Sequence, residues 1–284
     1  MSQSTDTPNG FSHSLKLDCT TADTSIAAGE LAIIRQHFEG QDLQHLKKGT
    51  SDAEQVTVSF YVKASSALPF GLELFDSDNN RQITKLFTTT TSWVRHEITF
   101  PADTTGAFNN DNARSLDLSF WIHAGSTYAG GTLNSTAFAS TTTANRAAGI
   151  DSFFSSTDNE FFLTGVQMEL GSQATPFEHR SVGEELALCQ RYYYDPQLSS
   201  GNYWWLHPIV TNNYGHFRRG SFPLPTAMRA DPTATLTGST SGTFASNMPA
   251  VEGNDHRHYI GFAGDTDGEN RYTDIRSLTL DAEL

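Results

Sequence analysis

The sequence has little cysteine, little basic charge and no long apolar run. Its 284 residues include 2 Cys, and 18 Lys and Arg against 32 Asp and Glu, for a formal net charge of −14. Few clustered basic residues argue against binding to nucleic-acid phosphates. No apolar stretch approaches the ~20 residues that span a bilayer, and the amino terminus lacks a signal-peptide pattern. We therefore expect a soluble, unprocessed chain with no nucleic-acid partner and no membrane insertion.

Two cysteines are too few for a disulfide framework. Cys19 follows the apolar and polar alternation SLKLD, and Cys189 falls in a predicted helix. We expect both to be buried small hydrophobic residues in a chain that is made in a reducing cytoplasm.

The composition favours strands over helices. Hydrophobic residues make up 37% of the chain and charged residues only 18%, and there are 19 Phe. Such a composition, rich also in Thr, Ser, Gly and Asn, is typical of many short strands joined by turns. A chain of this length can bury a large core. We expect a mostly β protein.

Alternating patterns predict the strands of a β-sandwich. In one strand Val56, Val58, Phe60 and Val62 share a face, and in another Leu116, Leu118, Phe120 and Ile122 do. The patterns predict strands at 14–19, 30–38, 56–62, 70–75, 93–100, 116–122 and 162–170, and a helical turn at 40–46. A long Thr, Ala, Ser and Gly-rich stretch at 125–154 exceeds the usual loop length, so we expect it to be functional or packed against a neighbour.

A strand, a turn and a capped helix follow one another at 161–194. Gly171 ends the strand, and Ser181 with Glu184 forms a capping box that starts a short helix. Leu186 and Tyr193 fall on one side of this helix, which we expect to lie against a β-domain. We predict a jelly-roll domain at 1–180, a linking helix at 181–195 and a smaller carboxy-terminal β-domain at 196–284, with strands near 203–211, 215–222, 233–236, 259–263 and 277–282.

Two clusters offer metal ligands. Asp76 and Asp78 place hard oxygen atoms close together, as Ca²⁺ requires, but the turn lacks the Gly and distal Glu of an EF-hand loop and ordinary turn chemistry is the favoured alternative. His256 and His258 lie at i and i+2, so three such pairs on a trimer axis would supply six nitrogens to a transition metal. The alternative for this pair is an exposed loop.

Aromatic residues are candidates for stacking on sugar rings. Tyr203, Trp204 and Trp205 concentrate aromatic surface after the predicted helix, although adjacent strand positions point to opposite faces and at least one tryptophan should pack in a core or interface. Trp121 faces the same choice, since it lies opposite the apolar face of its strand.

The sequence contains little that indicates catalysis. Asp117, Glu160 and Glu169 have the chemistry of a glycosidase carboxylate pair, but their spacing does not single them out. The chain has no GxSxG, HExxH, P-loop or dinucleotide fingerprint. We expect no enzyme, and a polysaccharide hydrolase is the remote alternative.

Several segments resemble a module of tailed-bacteriophage tail-fibre and minor structural proteins. The words that carry the resemblance are FEGQDLQ, VSFYVK, FPADTTGAF and TPFEHRSVGEELALCQRYY, within about residues 10–194. The resemblance implies a virion protein with a jelly roll similar to carbohydrate-binding modules. It implies no required cofactor, although such modules often hold a structural Ca²⁺. The polar start MSQSTDTPNG departs from relatives that feed a first strand from an earlier segment, so the sheet edge should be open or covered by another chain.

These observations predict a noncatalytic virion protein of the tail or fibre that contributes to recognition of a host surface glycan. The 125–154 segment or the carboxy-terminal aromatic residues would carry the contact. The alternative is a structural or adaptor component with no ligand of its own. Expected partners are further copies of the chain, as a homotrimer, and other virion tail proteins.

Overall fold

The chain forms two compact units, Met1–Glu178 and His179–Leu284. The computed structural model describes residues 1–196, 204–206, 210–212, 215–240, 250–251, 259–266 and 273–283, with side-chain placement for 1–196, 223–235 and 278–283. Antiparallel strands dominate both units, which confirms the prediction of a mostly β chain with a jelly-roll sandwich and a smaller β-rich region after it. The described part of the chain contains no helix with the length and apolar character needed to cross a membrane.

The first unit contains ten strands and four short helical segments. The strands are β1 (Ser2–Ser4), β2 (Ser14–Asp18), β3 (Leu31–Glu39), β4 (Val56–Ala64), β5 (Pro69–Asp76), β6 (Arg81–Thr88), β7 (Val94–Phe100), β8 (Arg114–Ala124), β9 (Ala139–Ser140) and β10 (Glu160–Leu170). The helical segments are the 3-10 turns Gly40–Leu46, Thr143–Asn145 and Phe153–Ser155, and the single turn α1 (Ser126–Ala129).

These strands form two antiparallel sheets. Sheet 1 has the order β1-β2-β10-β4-β7, and sheet 2 has the order β3-β8-β5-β6-β9. The apolar sides of the two sheets face one another, and the predicted inward residues of β4 and β8 are buried in the core between them. Phe60 lies at the centre, with its ring edge-on to Phe87 and Phe120 at 5.0 Å. Alternation at period two therefore predicted the core faces of these strands correctly.

Strand β6 was not predicted from the sequence. Its inward residues Ile83 and Phe87 are buried, but Lys85 lies between them at the intervening inward position, and most other residues of the strand are polar. The apolar alternation is thus interrupted at its middle position. Pairing with β5 along all eight residues of the strand supplies the stability that the local pattern does not show.

The polar amino-terminal segment covers a sheet edge. Residues of β1 pair with β2 from Ser2 opposite Lys16 to Ser4 opposite Ser14. The polar start therefore supplies a short edge strand of its own, which the sequence did not predict, and coverage of the outer side of β1 by another chain stays a prediction. In the neighbouring strand β10, a bulge lies between Thr164 and Gln167, where Gly165 has φ +58° and a Cβ would come within 2.6 Å of the Phe11 ring.

The second unit begins with a capped helix. This helix, α2 (Val182–Gln190), has the predicted capping box between Ser181 and Glu184. The residues that we expected it to bury are exposed, with Leu186 at 54% and Tyr193 at 45%. Cys189 is exposed as well, so the expectation of two buried cysteines holds only for Cys19.

Eight strands of the second unit are described. They are β11 (Tyr193–Tyr194), β12 (Trp204–Leu206), β13 (Val210–Asn212), β14 (Gly215–Pro223), β15 (Thr233–Thr240), β16 (Ala250–Val251), β17 (Tyr259–Thr266) and β18 (Thr273–Asp281). One sheet has the order β11-β18-β12 with β15 also paired to β18, and the other has the order β13-β14-β17-β16. The single strand predicted at 203–211 is therefore two strands in different sheets.

Candidate functional site

The outer face of sheet 2 carries an unusual set of buried polar side chains. On β8 the residues between the core positions are Ser115, Asp117, Ser119, Trp121 and His123, and all five are buried. A sheet face that turned directly to solvent would leave them exposed. The 125–154 segment covers part of this face, where the side-chain amide of Asn134 donates to the Gln82 carbonyl at 2.6 Å and Arg146 binds Glu73.

Asp117 is the buried acceptor at the centre of one cluster of polar side chains. Its register partner on β3 is His37, whose Nδ1 lies 2.6 Å from Oδ1. Arg114 donates its Nε to the same oxygen at 2.7 Å and a second guanidinium nitrogen to Oδ2. Arg35 lies 3.6 Å from Oδ2 and donates to the Ser119 hydroxyl at 3.0 Å. One buried carboxylate thus orients three cationic or titratable side chains.

Those three side chains remain partly open to solvent. The side chains of Arg35, His37 and Arg114 are 27%, 24% and 35% exposed, whereas that of Asp117 is 0% exposed. Their outer donor atoms can therefore reach a ligand while their inner atoms are held in place.

Glu73 is the centre of the adjoining cluster. It accepts a hydrogen bond from the Trp121 indole at 2.8 Å, and Arg146 donates to both carboxylate oxygens at 2.7 and 2.8 Å. The Arg146 guanidinium also lies 5.1 Å from the Trp121 ring and 4.6 Å from the Phe75 ring. Phe75, opposite Asp117 on β5, is half-buried, and the Arg114 guanidinium lies 6.0 Å from its ring.

We call this surface the Asp117 face and define it by Arg35, His37, Phe75, Arg114 and Arg146. Burial lowers the pKa of Arg35, Asp117 raises it, and the like charges of Arg114 and Arg146 lower it again, so that it lies below its ordinary value. The guanidinium groups are therefore close enough to repel one another. Three arginines against the carboxylates of Asp117 and Glu73 leave a local excess of positive charge at the Asp117 face. The chain as a whole has a formal net charge of −14.

Trp121 does not offer a stacking surface. It is fully buried, and its ring lies 5.4 Å from that of Tyr128 in the covering segment. The expectation that Trp121 contacts a ligand is corrected accordingly, because its indole orients Glu73 instead. The half-buried aromatic ring of this face belongs to Phe75, which sequence reasoning missed.

Asp76 and Asp78 bind protein groups. The ammonium of Lys48 lies 2.5 Å from Asp76 and 3.1 Å from Asp103, and it donates to the carbonyls of Thr105 at 2.8 Å and Gly106 at 2.7 Å. Lys48 is itself buried. It supplies the positive charge that a Ca²⁺ ion would bring to Asp76. Asp78 accepts from the backbone N–H of Asn109 at 2.9 Å, so the two aspartates serve different partners and the calcium expectation for this turn is replaced by turn and ion-pair chemistry.

The carboxy-terminal candidates are only partly described. Trp204 and Trp205 lie on β12 opposite Ile275 and Asp274 of β18, and their side chains lie outside the described residues. Tyr203, His256 and His258 also lie outside the described residues. Their roles stay predictions.

The three carboxylates considered for hydrolysis do not share a cleft. Asp117 is on the outer face of sheet 2, whereas Glu160 and Glu169 belong to β10 of sheet 1. Glu160 forms an ion pair with Lys16, and Glu169 accepts from the Thr175 hydroxyl at 2.5 Å.

A shallow cavity of about 380 Å³ lies elsewhere on this unit. It is lined by Leu43, Gln44, Lys47, Lys48, Thr50, Asp52, Ala107 and Phe108. The buried charge at its wall, Lys48, is already bound by four protein oxygens.

A comparison of the chain with protein-family models and with curated proteins finds no match.

Proposed function

We propose that this protein is a noncatalytic virion component of a phage tail or fibre, and that its sandwich recognises a host surface sugar through the Asp117 face. The observation that carries the sugar-binding proposal is the arrangement of Arg35, His37 and Arg114. All three are held by a buried carboxylate and partly exposed beside an aromatic ring. Virion membership depends on the sequence resemblance.

Fixed donors beside a ring suit a sugar. Hydroxyl or carboxylate oxygens of a sugar accept from planar guanidinium groups, and the apolar face of a sugar ring packs on an aromatic side chain. Because Asp117 and Glu73 already restrain the arginines, binding costs less side-chain entropy than it would with free arginines. The 125–154 segment contributes Arg146 to the face, because Arg146 donates to Glu73.

The same contacts support a noncatalytic role. Asp117 and Glu73 each accept from cationic donors, and Glu73 also accepts from the Trp121 indole. Carboxylates whose oxygens are occupied by protein donors are poorly placed to act as a free acid and base pair.

A structural or adaptor role is the second candidate. It is favoured by exposed apolar side chains on α2, where Val182 is 85%, Leu186 is 54% and Leu188 is 47% exposed. Apolar residues in this number on a nine-residue helix suit contact with another chain. The same contact would serve the proposed homotrimer.

Binding to isolated surface polysaccharide of a susceptible host tests the proposal. The full chain should bind saturably in calorimetry, and Phe75→Ala and Arg35→Gln should each weaken binding about tenfold, which corresponds to about 1.4 kcal/mol. Arg180→Gln, which removes an exposed arginine outside the sandwich, is the matched control and should bind normally.

Three other results are informative. A well-folded oligomer in light scattering that binds no host polysaccharide would favour the adaptor role. Binding that survives both variants but is lost in Trp204→Ala or Trp205→Ala would move the site to the second unit. Release of soluble sugar from the polysaccharide would contradict the noncatalytic assignment.

A further inference from the structure

A second group of titratable residues lies at the end of sheet 2, apart from the Asp117 face. Asp23 lies in the connection between β2 and β3, Glu30 immediately precedes β3, and His123 is near the end of β8. One ligand atom from each residue lies within 4.8 Å of the other two. We propose that these three side chains bind a divalent transition-metal ion of the Zn²⁺ class.

His123 gives the independent indication of a ligand. Its side chain is 4% exposed, so burial has removed water from nearly the whole ring. Nδ1 lies 2.8 Å from the Ser152 hydroxyl, and the ring is edge-on to Phe154 at 5.2 Å. Nε2 lies 3.9 Å from Glu30 Oε2, which is too long for a hydrogen bond, and a carboxylate oxygen of Asp23 lies within 4.8 Å of a ring nitrogen of His123. Within the described residues Nε2 therefore has a charged neighbour but no hydrogen-bond partner.

That separation suits two atoms that bind one ion. Metal bonds of about 2.0–2.2 Å from imidazole nitrogen and carboxylate oxygen place neighbouring ligand atoms about 3–4 Å apart. A hydrogen bond on Nδ1 that fixes the ring is the usual outer-shell support for a histidine that ligates through Nε2.

The two carboxylates are oriented by backbone groups. The Ala27 N–H donates to Oε2 of Glu30 at 2.7 Å, and the Ser25 N–H donates to Oδ1 of Asp23 at 2.9 Å. These bonds come from the same connection as the ligands and limit how far the carboxylates can turn. Each ligand thus has an outside group that holds its direction.

The donor set indicates the class of ion. One imidazole nitrogen and two carboxylate oxygens suit Zn²⁺, Mn²⁺ or Co²⁺, with water completing the coordination, whereas Ca²⁺ takes six to eight oxygen ligands. The set is also distinct from the Asp76 turn and from the His256 and His258 pair.

An ion here would link the connection between β2 and β3 to β8, beside the two ends of the 125–154 segment. The Gly125 N–H donates to the Glu30 carbonyl at 2.8 Å, and the Asp23 N–H donates to the Phe154 carbonyl at 2.8 Å, so both ends of the 125–154 segment already attach to the residues around the site. Metal binding would strengthen this attachment. The inference does not depend on the sugar-binding proposal, because the ion's ligands include no residue of the Asp117 face.

The test uses the untagged full chain with His256→Asn and His258→Asn, so that this histidine pair cannot contribute. After treatment with a chelator, the protein is titrated with ZnCl₂ by calorimetry and with CoCl₂ by visible spectroscopy. We expect one ion per chain, and a rise in Tm of about 5 °C at a hundredfold excess of Zn²⁺ over its Kd.

Variants of the ligands identify the site. Asp23 and Glu30 are partly exposed, so Asp23→Asn and Glu30→Gln should fold, and each should weaken Zn²⁺ binding at least tenfold, as should His123→Gln. Glu54→Gln changes an exposed glutamate outside the cluster and should leave binding unchanged. Because His123 is buried, the two carboxylate variants keep the test valid if His123→Gln fails to fold.

Several results would overturn the proposal. They are no Zn²⁺ binding at micromolar concentrations, binding that all three ligand variants retain, a strong thiolate band with Co²⁺ that assigns the ion to Cys19 or Cys189, and a preference for Ca²⁺ over Zn²⁺. None of these results bears on polysaccharide binding, which is measured separately.

Discussion

The ammonium of Lys48 lies 2.5 Å from Oδ2 of Asp76, and both side chains are buried. Asp103 and two backbone carbonyls complete a shell of four oxygens around the same nitrogen. The Lys48 ammonium therefore neutralises the negative charge of Asp76 at the end of β5. The arrangement makes the unit sensitive to loss of a single positive charge.

Lys48→Met should lower the free energy of unfolding by about 3–5 kcal/mol, because it leaves two buried carboxylates without their shared cation. Urea unfolding followed by circular dichroism measures the change. Lys47→Met is the matched control, since Lys47 pairs with Glu54 at the surface and should cost less than about 1 kcal/mol. Equal effects of the two substitutions would show that the Lys48 shell contributes no more than a surface ion pair.

Acid should destabilise the protein partly through Asp103. Burial alone raises the pKa of Asp103, but hydrogen bonds from Arg81 and Lys48 outweigh it and hold the pKa below the ordinary value of 3.8. The folded chain thus takes up this proton less readily than the unfolded chain. The stabilisation is complete above about pH 3.8 and is lost as the pH falls through the lower folded-state pKa.

Urea midpoints measured from pH 6 to pH 2.5 test this expectation. Asp103→Asn removes the titrating group, so its stability should fall less steeply with acid than that of the parent protein. Arg81→Gln removes the larger of the two hydrogen-bonding influences and should also flatten the curve. Curves parallel to the parent in both variants would contradict the assignment.

Trp121→Phe should destabilise the sandwich by about 1–3 kcal/mol, because Glu73 stays buried and loses the indole donor. Trp93→Phe is the control, since its indole donates to Asp6 in an exposed pair at 2.9 Å and should cost about 0.5 kcal/mol or less. Guanidinium unfolding of both variants gives the comparison. If Trp121→Phe proves as mild as the control, the Glu73 cluster does not need this donor.

The two thiols should differ in reactivity. Cys189 is exposed and should react with a disulfide reagent in the native protein, whereas the buried Cys19 should react only after unfolding. The part of the Cys189 thiol that is shielded from water, together with the nearby carboxylates of Glu185 and Glu283, raises its pKa above the ordinary value of 9.0, so the labelling rate should keep increasing beyond that pH. Cys189→Ser should abolish native labelling, and native labelling of both thiols would refute the placement of Cys19.

Strand patterns and local capping were predictable from the sequence. Val58, Phe60 and Val62 alternate with polar residues, and a period of two defines an apolar face whatever the partner strand is. The capping box of α2 was predictable because Ser181 and Glu184 are three residues apart and satisfy each other's backbone groups. The alternation of β6 is broken by Lys85, which is why this strand escaped prediction.

The Asp117 face was not predictable from local patterns. Asp117 was considered as an acid for hydrolysis, but its partner His37 is 80 residues away in the chain. Polar residues between the apolar positions of β3 and β8 were the available signal. That pattern indicates which residues of a strand lie on its outer face. It does not indicate which residue of a neighbouring strand lies opposite each of them.

Sequence by itself determined the mostly β class, the inward faces of β4 and β8, and the start of α2, because each depends on residues close together in the chain. Tertiary structure alone decided that Arg146 binds Glu73, 73 residues away, and that Lys48 binds the carbonyl of Thr105, 57 residues away. Strand register and the path of the 125–154 segment bring these groups together. Ion pairs and hydrogen bonds act only over a few ångströms, so these partners meet only once the strands and connections of the unit are folded together.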